Sequence, residues 1–83
     1  MEAAVWYEEQ QAGLGHQFLD EALSIFSKID QSPLMYPAVH RDTRRALIRR
    51  FPFGVFYRVE NAVIVVVAVM HGSRSPTHWK KRT

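Results

Sequence analysis

The stretch RFPFGVFYRVENAVIVVVAVM, residues 50–70, decides the fold of this 83-residue chain. It contains two runs, 55–60 and 62–70, that are rich in the β-branched and aromatic residues favoured in strands, and Asn61 marks a turn between them. Side chains alternate between the two faces of a strand, so Tyr57 shares a face with the valines two positions away on each side. The stretch therefore predicts an antiparallel hairpin with Tyr57 in the core.

The run 62–70 is apolar at every position. Such a run is typical of a central strand that is covered on both faces. A simple meander would instead place it at the edge of the sheet, where a long apolar strand invites pairing with another chain. We therefore expect a neighbour beside it: another strand of this chain, a second copy, or a segment of a partner protein. The run is too short for a transmembrane helix.

Upstream of this hairpin, residues 46–50 read as a third, short strand with bases on both faces, and residues 51–54 form the turn that follows it. Residues 33–42 read as a loop or a short helical turn, because Pro33 and Pro37 interrupt any regular element. The strands therefore make an antiparallel meander, with 44–70 as its outer limits.

The N-terminal part reads as two helices. Residues 2–11 are good helix formers, and Gly13 suits a left-handed C-terminal cap. Residues 16–31 carry apolar side chains at the three-to-four spacing of a buried helical face. The residue before Pro33 is pushed out of the helical region, which ends the second helix. With few residues between them, the helices should form an antiparallel hairpin over 1–31.

Together these elements predict one domain, 1–83, of the α+β class. Its helical hairpin packs on an antiparallel meander of three or four strands, and residues 71–83 form a basic C-terminal tail. A chain of this size buries only about 60% of its unfolded surface and is marginal without further support. The sequence has no cysteine, so disulfides and thiolate metal sites are excluded.

The charge is divided between the two halves of the chain. Residues 1–40 hold six acids and one base, a net of −5, whereas residues 41–83 hold ten bases and two acids, a net of +8. This polarity suits an acidic partner, either nucleic acid or an acidic protein segment, and it also suits a merely solvated basic face. The acidic N-terminus does not resemble a secretory signal, so we expect a cytoplasmic protein without membrane contact.

Several landmarks recur in a recognisable order. They are Trp6-Tyr7-Glu8-Glu9-Gln10 with Gly13-Leu14-Gly15, Phe18-Leu19, Ser32-Pro33 with Tyr36-Pro37, Arg44-Arg45 ahead of Leu47, the stretch 50–59, and His71-Gly72-Ser73-Arg74-Ser75-Pro76 followed by Trp79 and Arg82. Together they resemble the RelE/ParE superfamily, and within it the ParE-like plasmid stabilisation proteins. Family members usually begin with a strand that this sequence lacks. The resemblance therefore implies an upstream start or a naturally shortened form.

The resemblance to ParE implies the toxin of a type II toxin–antitoxin system. Such a toxin binds and poisons DNA gyrase without a cofactor, and an antitoxin with an acidic helical segment neutralises it. The antitoxin is also expected to complete the sheet, and an open strand edge would equally allow a homodimer or a larger oligomer. A degenerate remnant that binds antitoxin and poisons nothing is a further alternative.

RelE-like members are similar in fold but cut messenger RNA on the ribosome. That reaction needs a base for the ribose 2′-hydroxyl, cations for the phosphate and an acid for the leaving oxygen. The candidates for these roles in this chain are His71, Arg74 and His78. No glutamate accompanies them, and a histidine at a strand end is more often structural. We therefore assign no catalytic residue and keep the nuclease as the alternative.

The basic residues supply the candidates for partner or target binding. The guanidinium group binds carboxylate or phosphate through two hydrogen bonds, although bases on a strand also prevent unwanted sheet pairing. In the tail, an aromatic residue among bases is either an anchor for a partner or a lid over the core. The predicted binding residues are Arg44, Arg45, Arg49, Arg50, Arg74, Trp79, Lys80, Lys81 and Arg82. No metal-ligand spacing appears.

Overall fold

The computed structural model of the protein describes residues 2–72. Its elements, in chain order, are α1 (Glu2–Gln10), α2 (Leu14–Gln31), β1 (Ala38–His40), β2 (Thr43–Leu47), β3 (Phe53–Glu60) and β4 (Val63–His71). The strands form one antiparallel sheet in the order β1-β2-β3-β4, and the helices pack on one of its faces. The predicted α+β architecture is confirmed, with four strands. No helix among the described residues is long and apolar enough to cross a membrane.

A tight connection at Gly13 joins the two helices. Gly13 has a φ of 88°, the predicted left-handed conformation, which is open to glycine because it lacks a Cβ. The Glu8 carboxylate accepts hydrogen bonds from the backbone N–H groups of Gly13 (2.9 Å) and Gly15 (3.0 Å). These N–H groups have no acceptor within α2 itself. The end of α1 therefore caps α2, which begins at Leu14, two residues earlier than predicted.

The Glu8 carboxylate makes the helical hairpin sensitive to pH. The hydrogen bond from Gly13 is the largest influence and, with that from Gly15, lowers the pKa of Glu8 below its usual value of 4.5, although desolvation opposes the shift. Because the folded-state pKa is depressed, this stabilisation is fully present above the unfolded-state pKa and is lost as the pH falls through the folded-state pKa.

We therefore expect Glu8→Gln to lower the free energy of unfolding at neutral pH and to matter progressively less in acid below the usual pKa of 4.5. Urea denaturation of the two proteins at several pH values measures this difference. A difference that stays constant from neutral pH into strong acid would show that the carboxylate does not act through its charge.

The core lies between the helices and the strands β2 and β3. The buried face of α2 has its side chains at the predicted three-to-four spacing: Phe18, Ala22, Ile25 and Ile29. They meet the helix-side residues of the chain from β2 to β3: Ala46, Ile48, Val55 and Tyr57. Tyr57 is fully buried, as predicted, and its hydroxyl donates a 2.6 Å hydrogen bond to the Pro33 carbonyl oxygen. This bond ties the chain leaving α2 to the middle of the sheet.

The strand β1 corrects the prediction for residues 33–42. That segment is predicted as a loop or a helical turn, whereas Ala38–His40 forms a short edge strand. It follows Pro37 directly and has no strand pattern of its own. Its conformation comes from antiparallel pairing with β2, in which Ala38 lies opposite Arg44. Tertiary pairing, and not local propensity, makes this strand.

The strand β2 lies earlier in the chain than predicted. It spans Thr43–Leu47, whereas the sequence pattern places it at 46–50. Arg50 has a φ of 72°, a left-handed conformation that ends the extended backbone. The turn is closed by a 2.8 Å hydrogen bond from the Ile48 N–H to the Phe53 carbonyl oxygen. The last residues of the predicted strand therefore belong to the β2–β3 turn.

The strand β4 is the last strand of the sheet, as a meander predicts, and the neighbour expected beside it is not among the described residues. Val63 and Val66 remain 59% and 46% exposed, and no residue of β4 is fully buried. Its pairing with β3 is regular except for a shift in register between Phe56 and Tyr57. Within the described residues, this apolar strand therefore has no neighbouring strand on its outer side.

Candidate cationic surface

The arginines of the two adjacent pairs, Arg44-Arg45 and Arg49-Arg50, do not all lie on one side of the sheet. Arg44 lies opposite Tyr57 and so faces the helix side of the sheet. Its Nη1 donates to the carbonyl oxygens of Tyr36 (2.6 Å) and Leu34 (3.2 Å). Arg45 lies opposite Phe56 and so faces the side on which no helix of the described residues lies, which we call the open face. The structure therefore gives Arg44 an internal role in holding the loop after α2 and separates it from Arg45.

Gly54 makes room for Arg45 on the open face. The two residues lie on neighbouring strands, and a Cβ added to Gly54 would sit 3.3 Å from Cγ of Arg45 and 3.5 Å from Cδ2 of Leu47. The aliphatic stem of Arg45 therefore packs across β3 where a side chain is missing, and this leaves the guanidinium for the polar surroundings. The glycine therefore leaves the space in which the charged side chain of Arg45 lies.

Arg49 and Arg50 lie in the turn between β2 and β3, and both are exposed. The end of β4 lies beside this turn, because the Gly72 N–H donates a 2.7 Å hydrogen bond to the Pro52 carbonyl oxygen. Arg45, Arg49 and Arg50 form no ion pair within residues 2–72. We call these three arginines the cationic surface.

A second charged feature lies at the other end of the open face, and the sequence analysis missed it. It is a shallow cleft of about 370 Å³ lined by Arg41, Asp42, Thr43, Arg58 and Glu60. Nε of Arg58 lies 3.2 Å from Oε1 of Glu60. Two bases and two acids leave the cleft formally neutral. The alternation of β3, which puts Arg58 on the face opposite Tyr57, was the signal that could have indicated this placement.

The predicted nuclease residues are only partly placed by the structure. The His71 ring lies 5.6 Å from the Phe53 ring at an angle of 64°. Since Phe53 packs against the core, His71 is on the helix side of the sheet, the side away from Arg45. The other tail candidates lie outside the described residues: Arg74, His78, Trp79, Lys80, Lys81 and Arg82. Among the described residues no group of three or more acids and histidines could hold a metal ion.

The arrangement is that of a small α+β domain with a helical hairpin on one face of its sheet. Three arginines on β2 and in the β2–β3 turn form no ion pair within residues 2–72. A family model described as the ParE toxin of type II toxin-antitoxin system, parDE, matches residues 2–76. The chain belongs to the ParE toxin family, so it is the toxin component of such a system. Membership of this family implies an antitoxin partner. No curated protein and no solved structure matches the chain.

Proposed function

We propose that this toxin acts by binding DNA gyrase and poisoning it, and that a cognate antitoxin neutralises it through an acidic helical segment. Membership of the ParE toxin family is the observation that carries the proposal. The cationic surface supports it, because three arginines that form no ion pair with the described residues favour an acidic partner.

The charge distribution supports a docking site for the antitoxin at the β2–β3 turn. Arg49 and Arg50 are exposed in one turn, and Arg45 reaches the open face from the adjoining strand. Opposite charges accelerate encounter and fix the orientation of two proteins, while buried charge pairs add affinity. An acidic helix lying along the β2–β3 turn would meet all three guanidinium groups. Arg44 contributes less, because its Nη1 already donates to two carbonyl oxygens.

The described residues favour binding over phosphodiester chemistry. A nuclease needs an acid or base on the same side of the sheet as its phosphate-binding cations. His71 lies on the helix side, whereas Arg45 lies on the open face. Burial raises the pKa of Tyr57, and its hydroxyl is bound to the Pro33 carbonyl oxygen. The RelE-like nuclease therefore stays an alternative to be separated by its effect in cells.

Expression of the chain without an antitoxin tests the target. If gyrase is poisoned, cells should filament and induce the DNA-damage response, and purified protein should increase the amount of DNA cleaved by gyrase. Rapid arrest of translation with cut transcripts would contradict the proposal and support the ribosome-dependent nuclease. Normal growth would contradict it as well and would identify a remnant that no longer poisons its target.

A matched pair of charge reversals tests the antitoxin site. Arg49→Glu reverses the charge of an exposed residue of the cationic surface. Lys28→Glu makes the same change in charge at an exposed position of α2. We expect Arg49→Glu to weaken antitoxin binding at least tenfold, about 1.4 kcal/mol, and Lys28→Glu to leave it nearly unchanged. Titration calorimetry measures both affinities. Equal effects of the two variants would mean that the arginines form only a solvated basic face and not an antitoxin site.

A further inference from the structure

The strand β3 is buried on both of its faces at its centre. Val55, Phe56 and Tyr57 are consecutive, so their side chains alternate between the two faces, yet their exposed fractions are 0%, 3% and 0%. Val55 and Tyr57 belong to the core that the helices cover. Phe56 lies on the open face and is not part of that core. An antiparallel sheet commonly faces water on its second side, so the burial of Phe56 needs a cover of its own.

The described neighbours of Phe56 on the open face leave much of its ring uncovered. Arg45 and Ala68 lie opposite Phe56 on the adjoining strands. Gly54 has no side chain, and Ala68 offers a single methyl group. The stem of Arg45 packs over Gly54 towards one end of the sheet, and Arg58 lines the cleft at the other end. The ring between them is therefore covered by another part of the chain.

We infer that the C-terminal segment, residues 73–83, crosses the open face and that Trp79 packs on Phe56. The described residues leave out only Met1 and this segment. Met1 precedes α1, which packs on the helix side of the sheet, so the segment is the part of the chain that can cover Phe56. Trp79 is its largest apolar side chain. Aromatic rings bury a large area against each other and pair favourably.

The segment starts at the right place and is long enough. The Gly72 N–H donates a 2.7 Å hydrogen bond to the Pro52 carbonyl oxygen, which fixes the start of the segment beside the β2–β3 turn. Ala68, opposite Phe56, precedes Gly72 by four residues, which correspond to about 13 Å along a strand. Trp79 follows Gly72 by seven residues, which span at most about 25 Å. A chain that turns back over the sheet after Gly72 therefore reaches Phe56.

This contact extends the cationic surface. The bases at 80–82 follow Trp79 directly, and Arg45 lies opposite Phe56. A tryptophan placed on Phe56 therefore brings these three bases near Arg45 on the open face. The segment has no aspartate or glutamate to neutralise them. The tail and the cationic surface then offer one continuous surface to an acidic partner. This consequence rests on the proposed function, whereas the contact between the two rings does not.

Tryptophan fluorescence of the full chain tests the contact. Trp6 and Trp79 are the two tryptophans, and Trp6 is 57% exposed on α1, so Trp6→Phe leaves Trp79 as the single probe. We expect Trp79 in this variant to emit at a shorter wavelength, and to be quenched less by acrylamide, than in the urea-unfolded chain. Adding Phe56→Ala should reverse both effects. The control is Phe26→Ala on α2, which packs against the core on the helix side and should leave both unchanged. Circular dichroism establishes that each variant is folded.

A double-mutant cycle gives a second, independent measurement. Phe56→Leu keeps an apolar side chain at the buried position, so the cycle remains available if Phe56→Ala does not fold. Urea denaturation measures Trp79→Ala in the wild-type chain and in the Phe56→Leu background. Residues in contact have non-additive effects on stability. We therefore expect Trp79→Ala to cost less free energy of unfolding when the ring of Phe56 is already absent.

Three results would overturn the inference. The first is a folded Trp6→Phe chain in which Trp79 emits and is quenched as in the unfolded chain. The second is a Trp79 that stays protected in the folded Phe56→Ala variant, or that Phe26→Ala exposes equally. The third is a cycle in which the two substitutions are additive. None of these measurements involves antitoxin or gyrase, so their outcome is separate from that of the proposed function.

Discussion

Replacing Tyr57 with alanine should lower the free energy of unfolding by about 3–5 kcal/mol. Among the described residues Tyr57 is the largest fully buried side chain, and it lies on β3 within the core that α2 covers. Truncating a buried aromatic residue costs about 3–5 kcal/mol, since the apolar contacts are lost and a cavity remains. A small domain has a total stability of about 5–15 kcal/mol. The loss is therefore a large part of what holds this chain together.

The variant Tyr57→Phe separates the hydroxyl from the ring. It keeps the packing but removes the donor to the Pro33 carbonyl oxygen, so we expect a loss of about 1 kcal/mol. Trp6→Ala is the control for aromatic truncation, because Trp6 is 57% exposed on α1. Urea denaturation followed by circular dichroism measures all three variants. If Trp6→Ala cost as much as Tyr57→Ala, the assignment of the core would be wrong.

The sequence predicts those parts of the fold whose pattern is local. The apolar spacing of α2 and the turn at Gly13 depend on a few neighbouring residues, and both are where the pattern puts them. The strand β1 has no such pattern, because Ala38–His40 is extended only through its pairing with β2. The position of β4 in the sheet is likewise a property of the whole topology. Continuous apolar sequence does not distinguish a covered central strand from an uncovered edge strand.

The site shows the same division between local pattern and topology. Arg44 and Arg45 are neighbours in sequence, but alternation along β2 puts them on opposite faces of the sheet. A strand start at Thr43 and the left-handed Arg50 then place the remaining arginines in a turn. Neither feature has a clear signal in the sequence, since a non-glycine residue with positive φ is uncommon. Charge density along the chain therefore indicates a candidate region but not the side that each arginine faces.

The substitution Gly15→Ala should destabilise the protein, although alanine is the better helix former. In an exposed helix interior, this change stabilises by about 1 kcal/mol. Here a Cβ on Gly15 would press against the Ala4 carbonyl oxygen and would lie 3.0 Å from Cβ of Glu8. Both neighbours belong to α1 at the point where the helices touch. The carbonyl oxygen is backbone and cannot rotate away, so the helices must separate.

Separating the helices weakens two further interactions, because Tyr7 of α1 stacks on Phe18 and the Glu8 carboxylate caps Gly15. Overpacking of this kind costs about 1–3 kcal/mol, and the lost cap adds to it. Ser27→Ala, at an exposed position of the same helix, is the matched control and should stabilise slightly. Urea denaturation of both variants gives the sign of each change. A Gly15→Ala protein at least as stable as the wild type would contradict this prediction. It would mean that α1 and α2 do not approach closely at this glycine.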